Sequence, residues 1–461
     1  MKPFRYHLLI LFFAIVFSSI SCALAQNPVI TDQFTADPSA RVFEGRVYLY
    51  PSHDILAGEG RGRAGWFCME DYHVFSSPDL TGWTDHGVIL SQNDAGWVDS
   101  TSYSMWAPDC IYRNGKYYFY FPARPGGFGR GSIGVAVADN PGGPFTPQPQ
   151  PIQNVRGIDP NPFIDNDGQA YLYWSARNIY MAKLKDNMLE LDSEPRVIEH
   201  LPEKGLKEGP YVFERNGIYY LTYPHVENET ERLEYAMGSH PMGPFQVAGV
   251  IMDELPSGCW TNHHSVIAFR DQWYLFYHDN DLSPRFDKNR STRIDSLFFN
   301  EDGTIQKVIP TLRGVGLTDA SQQIQIDRYS LISEKGASIS FIDTTNFFGG
   351  WKTLLDTANA WVQYNAVDFG SRPFKSVHVR AMSESGGTLE LRLNKADGPV
   401  IARIDIPEGG EWHTVRSALS DFKSGIHDLV MLLKDNHPVE IDWIRFNQDT
   451  DTDPVNRFHV R

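Results

Sequence analysis

The stretch "KEGPYVFERNGIYYLTY" (residues 207–223) sets two apolar, aromatic runs on either side of Asn216-Gly217. Asn-Gly between such runs is a strong short-range hairpin signal, so Gly217 to Tyr223 reads as a buried strand. Just ahead of the hairpin, beside a glycine and a proline, stands Lys207-Glu208. A carboxylate at the approach to a buried strand needs a reason, and the rest of the sequence supplies one.

The same pattern recurs. "GRVYLYPSHD" from Gly45, "GKYYFYFPA" from Gly115, "GQAYLYWSA" from Gly168, "GIYYLTYPH" from Gly217 and "DQWYLFYHD" from Asp271 each follow a turn residue with an aromatic-rich strand. Their starts lie 70, 53, 49 and 54 residues apart, room for about four short strands and their turns, the size of a propeller blade. Long amphipathic helices are not apparent between residues 27 and 310. The expected fold is all-β: a five-bladed β-propeller, with a β-sandwich of repeated hairpins as the plainer alternative.

Counted back from the turn residue, Asp37 lies eight positions away, Trp106 nine, Asp159 nine, Glu208 nine and His263 eight. In a propeller the same position of every blade faces the axis, so these five side chains are expected to converge on one pocket. Alone, each is more simply a surface or turn group, and Asp-Pro at 37–38 and 159–160 is a common turn initiator. A lectin propeller would repeat one set of binding residues in every blade. Here the five differ, which favours a single composite site and an enzyme. Carboxylates with an aromatic platform suit glycosidic hydrolysis, in which one acid protonates the leaving oxygen and one carboxylate activates water or attacks the sugar. No nucleophile elbow, phosphate loop or dinucleotide fingerprint competes.

Bulk properties narrow the setting. Lys2 and Arg5 precede an apolar run from Leu8 to Ile20 ending at Ala23-Leu24-Ala25, so residues 1–25 read as a secretory signal rather than a membrane anchor. Lipid attachment at Cys22 is the minor alternative. Loss of these residues, which carry two cations and no acid, takes the formal charge from −16 to −18. So acidic a chain does not bind nucleic acid through bulk charge. Cys68, Cys110 and Cys259 remain, an odd count without CxxC spacing, and indicate neither a disulfide framework nor a cysteine zinc site.

"TADPSARVFEGRVYLYPSHD", "MWAPDCIYRNGKYYFYFP", "GIDPNPFIDNDGQAYLYW", "KEGPYVFERNGIYYLTY" and "NHHSVIAFRDQWYLFYHDN" resemble, in order, the blade motifs of family 43 glycoside hydrolases. The resemblance implies an inverting hydrolase with Asp37 as general base, Glu208 as general acid and Asp159 as the group that tunes and orients the acid. It matches His263 to a histidine near the pocket floor, where some members hold a calcium ion or a water cluster. It matches Arg293 to an arginine that hydrogen-bonds the terminal sugar. Trp106 serves equally well as substrate platform or core.

Beyond about Arg313 the aromatic repeat stops, and residues 325–447 show short alternating strands that read as a β-sandwich of jelly-roll type. "AWVQYNAVDFGS", "GGTLELRLN", "GEWHTVRSAL" and "VEIDWIRFN" resemble the strands of a family 6 carbohydrate-binding module. That resemblance implies sugar stacking on Trp361 and Trp412, although Glu440 stands where the family commonly has Asn. An interdomain brace is the other reading. The expected organisation is therefore a signal at 1–25, a catalytic propeller at 26–318 and a sandwich at 319–461.

The expected activity is removal of a terminal pentose from a plant polysaccharide or oligosaccharide by a secreted or periplasmic enzyme. α-L-Arabinofuranosidase comes first and β-D-xylosidase second, with exo-galactosidase and endo-arabinanase behind them and a non-catalytic sugar-binding propeller as the other class. No cofactor is required in this reading, beyond a structural Ca2+ at the axis. The loops "LAGEGRGRAGWFCMEDYH" and "RPGGFGRGS" are expected to shape the site.

Overall fold

The computed structural model describes residues 27–126, 131–345 and 350–448; residues 1–26, with the expected signal and Cys22, and four residues of the "RPGGFGRGS" loop, lie outside them. Every regular element described is a strand. The first five sheets follow one another along the chain, each an antiparallel meander; the first four have four strands and the fifth has three. Their first strands are Phe34–Phe43, Asp109–Arg113, Ile158–Ile164, Tyr211–Arg215 and His264–Phe269. Each pairs with the aromatic-rich strand of its repeat across the expected turn.

The aromatic repeat becomes the packing between sheets. Tyr50 and Tyr72 of the first sheet pack with Phe119 of the second, and Tyr120 with Leu172 and Trp174 of the third. Tyr173 packs with Leu221 and Tyr223 of the fourth, and Tyr235 with Leu275 and Tyr277 of the fifth. Phe276 and Ile294 of the fifth return to Ala40 and Leu49 of the first. Alternation puts one face of each aromatic strand against the preceding sheet and the other against the next, so both faces are apolar. The edge of the fifth sheet receives the segment that begins at Asn27, where Val29 N–H donates to Thr292 O at 2.9 Å.

A second system of bonds links the inner strands. Hairpin register makes Ser39, Asp109, Asn161, Tyr211 and Ser265 equivalent, each opposite the residue five beyond its turn. Ser39 Oγ donates to Asp109, whose other oxygen accepts from Asn161 Nδ2 at 2.8 Å. Asn161 Oδ1 accepts from Val212 N–H at 2.9 Å. Thr222 Oγ1 meets His264 Nε2 at 2.6 Å, and Ser265 Oγ donates to Pro38 O at 2.6 Å. Side chains thus tie each sheet to the next, the fourth through Thr222 of its second strand, and the fifth to the first. These buried polar groups fix where the strands stand relative to one another, because leaving any one unpaired costs about 1–3 kcal/mol.

Residues 318–447 form a separate two-sheet sandwich. One sheet carries Trp361–Asp368, Ile426–Leu433, Gly387–Leu393 and Val400–Ile406; the other carries Trp351–Leu355, Val439–Asn447, Ser376–Met382 and His413–Ala418. Their inward residues, among them Leu389, Met431, Val377, Val379 and Ile441, make one core. Arg313 secures the passage into this unit. It is buried, its Nε donates to Asn365 O at 2.9 Å, and its backbone N–H donates to Tyr329 O at 3.1 Å.

Candidate active site

The chain enters each inner strand at the same end, and there a cavity is lined by Asp37, Trp106, Asp159, Glu208 and His263. The five residues expected to converge do so. They do not, however, occupy one equivalent position. Counted from the equivalent residues Ser39, Asp109, Asn161, Tyr211 and Ser265, Asp37, Asp159 and His263 stand two before, while Trp106 and Glu208 stand three before. The count from the turn hid this because the Asp165–Gly168 turn is one residue longer than the others.

The offset has a steric cause. Asp37 and Asp159 adopt left-handed backbone conformations, with φ of 46° and 55°, and so does Gly209, the fourth-sheet equivalent, at 52°. Asp and Gly tolerate that region best. A Cβ on Gly209 would lie 3.0 Å from Pro224 Cδ and 3.1 Å from His263 Cε1, so that position holds no side chain. The carboxyl comes instead from Glu208, one residue earlier and one methylene longer. Its neighbour Lys207 turns the other way, donating to Gly205 O at 2.9 Å. The adjacent lysine and glutamate of the opening stretch thus point to opposite sides of an extended segment.

Asp37 is the most tightly held carboxylate. Oδ1 accepts from Arg290 Nη1 at 2.8 Å; Oδ2 accepts from Ser52 Oγ at 2.7 Å and Arg290 Nη2 at 3.3 Å. Burial alone would raise its pKa, but the Arg290 charge and the Ser52 bond outweigh it and hold Asp37 down at about 2. A carboxylate has about four acceptor sites and the protein fills three, which leaves one for a water. The Asp37 N–H donates to His278 Nδ1 at 2.9 Å, so the His278 lone pair is at Nδ1 and its proton at Nε2, facing Thr261 O at 3.0 Å. Burial and Arg290 push His278 down to about 3, so it stays neutral.

Asp159 and Glu208 are held otherwise. Asp159 Oδ2 accepts from Gly209 N–H at 3.1 Å. Burial, then the charge of Glu208, push its pKa up to about 7. Burial also pushes Glu208 well above the ordinary range, and Glu231 adds to the effect by charge and by hydrogen-bond contact. The site can therefore hold one firmly ionised carboxylate, Asp37, and a protonated carboxylic acid at neutral pH.

Several lining residues carry no mark in the aromatic repeat: Trp66, Phe67 and Met69 from the first long loop, Trp260, Glu231 and Arg290. The first three bear out the expectation that the loop after Ile55 shapes the site. Arg293 does not line this cavity; its Nε donates to Asp281 Oδ2 at 2.7 Å and it serves a buried ion pair. The arginine at the cavity is Arg290, three residues earlier. Because strand side chains alternate, Arg293 in the strand Ser291–Leu297 faces away from the approach that Arg290 occupies.

His263 lines the cavity with Nδ1 3.9 Å from Asp37 Oδ1. The nitrogen suited to a cation or water near the axis belongs to its neighbour. Thr222 Oγ1 donates to Tyr211 O at 3.0 Å, so His264 Nε2–H donates to Thr222 and His264 Nδ1 keeps a buried lone pair without a protein partner. One neutral nitrogen with no adjacent carboxylate bond fits an ion whose other ligands are water. Elsewhere, His53, Asp71 and His73 of the first sheet bring ligand atoms within 4.8 Å of one another, outside the cavity lining.

In the sandwich, Trp361 and Trp412 come from opposite sheets. Trp361 opens the strand Trp361–Asp368, and Trp412 precedes His413–Ala418 with the Arg380 guanidinium 4.9 Å above its ring. Glu440, at the position noted as unusual, accepts from Lys352 Nζ at 2.7 Å.

Glycosyl hydrolases family 43 matches residues 25–305. The chain belongs to that family. A carbohydrate binding module of family 6 matches residues 332–448. Among curated relatives, xylosidase/arabinosidase 43A of Humicola insolens is 39% identical over 327 residues, covering 60% of this chain and 98% of that protein. An arabinoxylan arabinofuranohydrolase of Paenibacillus polymyxa is 26% identical over 469 residues, covering 88% of this chain and 71% of that one. Among solved structures, a β-xylosidase/α-arabinofuranosidase from a compost microbial metagenome, in complex with xylotriose, aligns with TM-score 0.57 and 36% identity, covering 62% of this chain and 98% of that chain. An arabinoxylan arabinofuranohydrolase from Bacillus subtilis, in complex with cellotetraose, aligns with TM-score 0.54 and 26% identity, over 93% and 100% of the two chains. The family 43 chain described here is thus a glycosidase of the xylosidase/arabinosidase kind, carrying a carbohydrate-binding module. No helix among its described residues is long and apolar enough to cross a membrane.

Proposed function

We propose that this family 43 enzyme removes terminal α-L-arabinofuranosyl units from a plant polysaccharide or oligosaccharide with inversion at the anomeric carbon, on five sheets arranged as propeller blades. The observation that carries it is that one cavity is lined by Asp37, whose carboxylate Arg290 holds ionised, and by Glu208, whose pKa burial raises well above the ordinary range. Water donates a proton to Asp37 as its oxygen bonds the anomeric carbon. The glycosidic bond breaks with its electron pair on the leaving oxygen, which takes the Glu208 proton. Asp159 orients the segment bearing the acid through Gly209 N–H. Arg290 and Ser52 keep Asp37 ionised and fix its angle of attack.

Exo action is supported by the cavity volume, about 170 Å³, below the ~300–1,000 Å³ of pockets for larger ligands, and by walls of Trp66, Phe67, Trp106 and Trp260. Arabinofuranosidase action is supported by two relatives that span both domains and are arabinoxylan arabinofuranohydrolases. β-Xylosidase action is the second reading, supported by the 36–39% identical relatives of the catalytic domain. A structural Ca2+ would be met by His264 Nδ1, with water completing its shell. The leader and the acidic mature chain fit release from the cytoplasm, with acylation at Cys22 the alternative; the mass of the mature N-terminus separates them. Aryl α-L-arabinofuranosides and β-D-xylosides followed by arabinan and arabinoxylan, with proton NMR of the first product, test the reading. Retention of configuration, or binding without cleavage, would overturn it.

A further inference from the structure

We propose that Glu231 is the residue that keeps Glu208 protonated, the two carboxyls sharing one proton across the cavity wall. This rests on reading Glu208 as the acid and adds a partner that the aromatic repeat does not mark. Glu231 opens the third strand of the fourth sheet, is 1% exposed and lines the same cavity as Glu208. Its backbone is clamped to the fifth-sheet approach, with its N–H donating to Trp260 O at 3.0 Å and its Oε2 accepting from Asn262 N–H at 2.8 Å. Its Oε1 is sealed from solvent and accepts from no protein donor. A buried acceptor left that way is costly.

Besides the Asn262 N–H, the Glu231 side chain meets the Glu208 carboxyl in hydrogen-bond contact, and Glu208 can donate only when protonated. Among the described residues lining the cavity, no lysine or second arginine stands beside the pair to let both ionise. Arg290, the nearby guanidinium, is occupied by Asp37, Asp54 and Thr261. The remaining ionisable groups of the cavity are Asp37 from the first sheet, Asp159 from the third and His263 from the fifth; the two aspartates add negative charge. Touching carboxyls in such a setting hold one proton between them. Its placement is decided by the Asn262 N–H, which favours charge on Glu231 and leaves the proton on Glu208, where the leaving oxygen needs it. Once Glu208 has given its proton, the two charges repel and the pair takes a proton back from water. Asp159 is differently placed, its Oδ2 satisfied by Gly209 N–H. Glu231 is a positioning residue in this scheme.

The test is Glu231→Gln in the full chain, which replaces the charge by an amide able to donate to an ionised Glu208. The alkaline limb of kcat/KM on an arabinoxylan oligosaccharide should move down by about one pH unit or more. At neutral pH kcat should then fall roughly tenfold, one unit being a tenfold change in protonated fraction. KM should hold, and the loss should fade on aryl glycosides with activated leaving groups. Glu231→Asp, which keeps the charge, should restore part of the limb. An unmoved limb, or an equal loss on both substrate types, overturns the proposal. Carbon NMR of glutamate-carboxyl-labelled wild-type protein gives a reading independent of turnover. Two glutamates titrating together above the ordinary range support the pair, even if no panel substrate is cleaved and the functional reading falls. Activity on the panel with every glutamate titrating normally removes the pair and leaves the enzyme.

Discussion

Arg290 Nη1 donates to Asp37 Oδ1 at 2.8 Å while its Nε donates to Asp54 Oδ2 at 2.9 Å, so one guanidinium both keeps the Asp37 carboxylate ionised and fixes its orientation. All three groups are buried, and Arg290 also lies 4.8 Å over the Phe67 ring, which joins Asp37 to the loop at the cavity wall.

Asp37→Asn should therefore abolish turnover on natural and activated substrates alike, by about 10²–10⁴-fold or more, because water must lose its proton in either case. Loss confined to natural substrates, measured by initial rates on both classes, would move the base elsewhere.

Glu208→Gln should cost about 10²–10⁴-fold on an arabinoxylan oligosaccharide and much less on an aryl glycoside whose leaving group departs without a proton. Equal losses on the two would take the acid role from Glu208.

Arg290 and Arg293 should separate cleanly. Arg290→Lys keeps a charge but loses the fork that spans Asp37 and Asp54, and kcat/KM should drop at least about tenfold. Arg293→Met should leave KM unchanged and lower the melting temperature, since it strips a buried partner from Asp281 and Asp279, a loss of about 3–5 kcal/mol where such pairs are fully buried. A raised KM in the Arg293 variant would return that residue to the sugar.

Asp159 couples activity to stability. Its pKa is raised in the fold to about 7 from 3.8, so the favoured form is the neutral acid. That contribution is complete below the unfolded pKa, erodes as pH rises and is gone once pH passes about 7. Asp159→Asn, permanently neutral, should melt higher than wild type at pH 8–9, by about 2–4 °C per kcal/mol recovered, while activity falls. An unchanged difference between pH 5 and pH 9 in calorimetry would show that Asp159 is not strained by its charge.

In the second domain, Trp412→Ala and Trp361→Ala, each made in the Glu208→Gln chain to prevent cleavage, should be compared by affinity electrophoresis in arabinoxylan gels. Trp412 carries the stacked Arg380 guanidinium and Trp361 stands on the opposite sheet. If sugar is sandwiched between the two, each change should weaken binding about equally. If neither does, the domain acts as a brace through contacts such as Arg313 to Asn365 O.

Much of this was legible because its causes are local. Asn216-Gly217 makes a turn, and "YYLTY" alternates toward two apolar faces whatever surrounds it, so five such hairpins could be read directly. The identities of Asp37, Asp159 and Glu208 followed because each precedes its own hairpin by a nearly constant count. The count still misled by one residue, since the longer Asp165–Gly168 turn masked the difference between Asp159 and Glu208. The resemblance points to Arg293, whereas Arg290 lines the cavity, because no local signal says which of two nearby arginines turns inward; that depends on where the strand Ser291–Leu297 begins.

The sequence alone determined an all-strand fold and a carboxylate ahead of the aromatic hairpin in the first, third and fourth repeats, because turns and alternation are set by neighbours within a few residues. Tertiary structure alone decided which carboxyls come together out of water. Glu231 lies on a different strand from Glu208 and outside the repeat, and nothing in its own neighbourhood marks it as the partner of an acid. Only folding removes water from both carboxyls at once and leaves Asn262 N–H beside one of them. The energy of a charge depends on every group around it in space, so the proton that the reaction needs is a property of the assembled cavity.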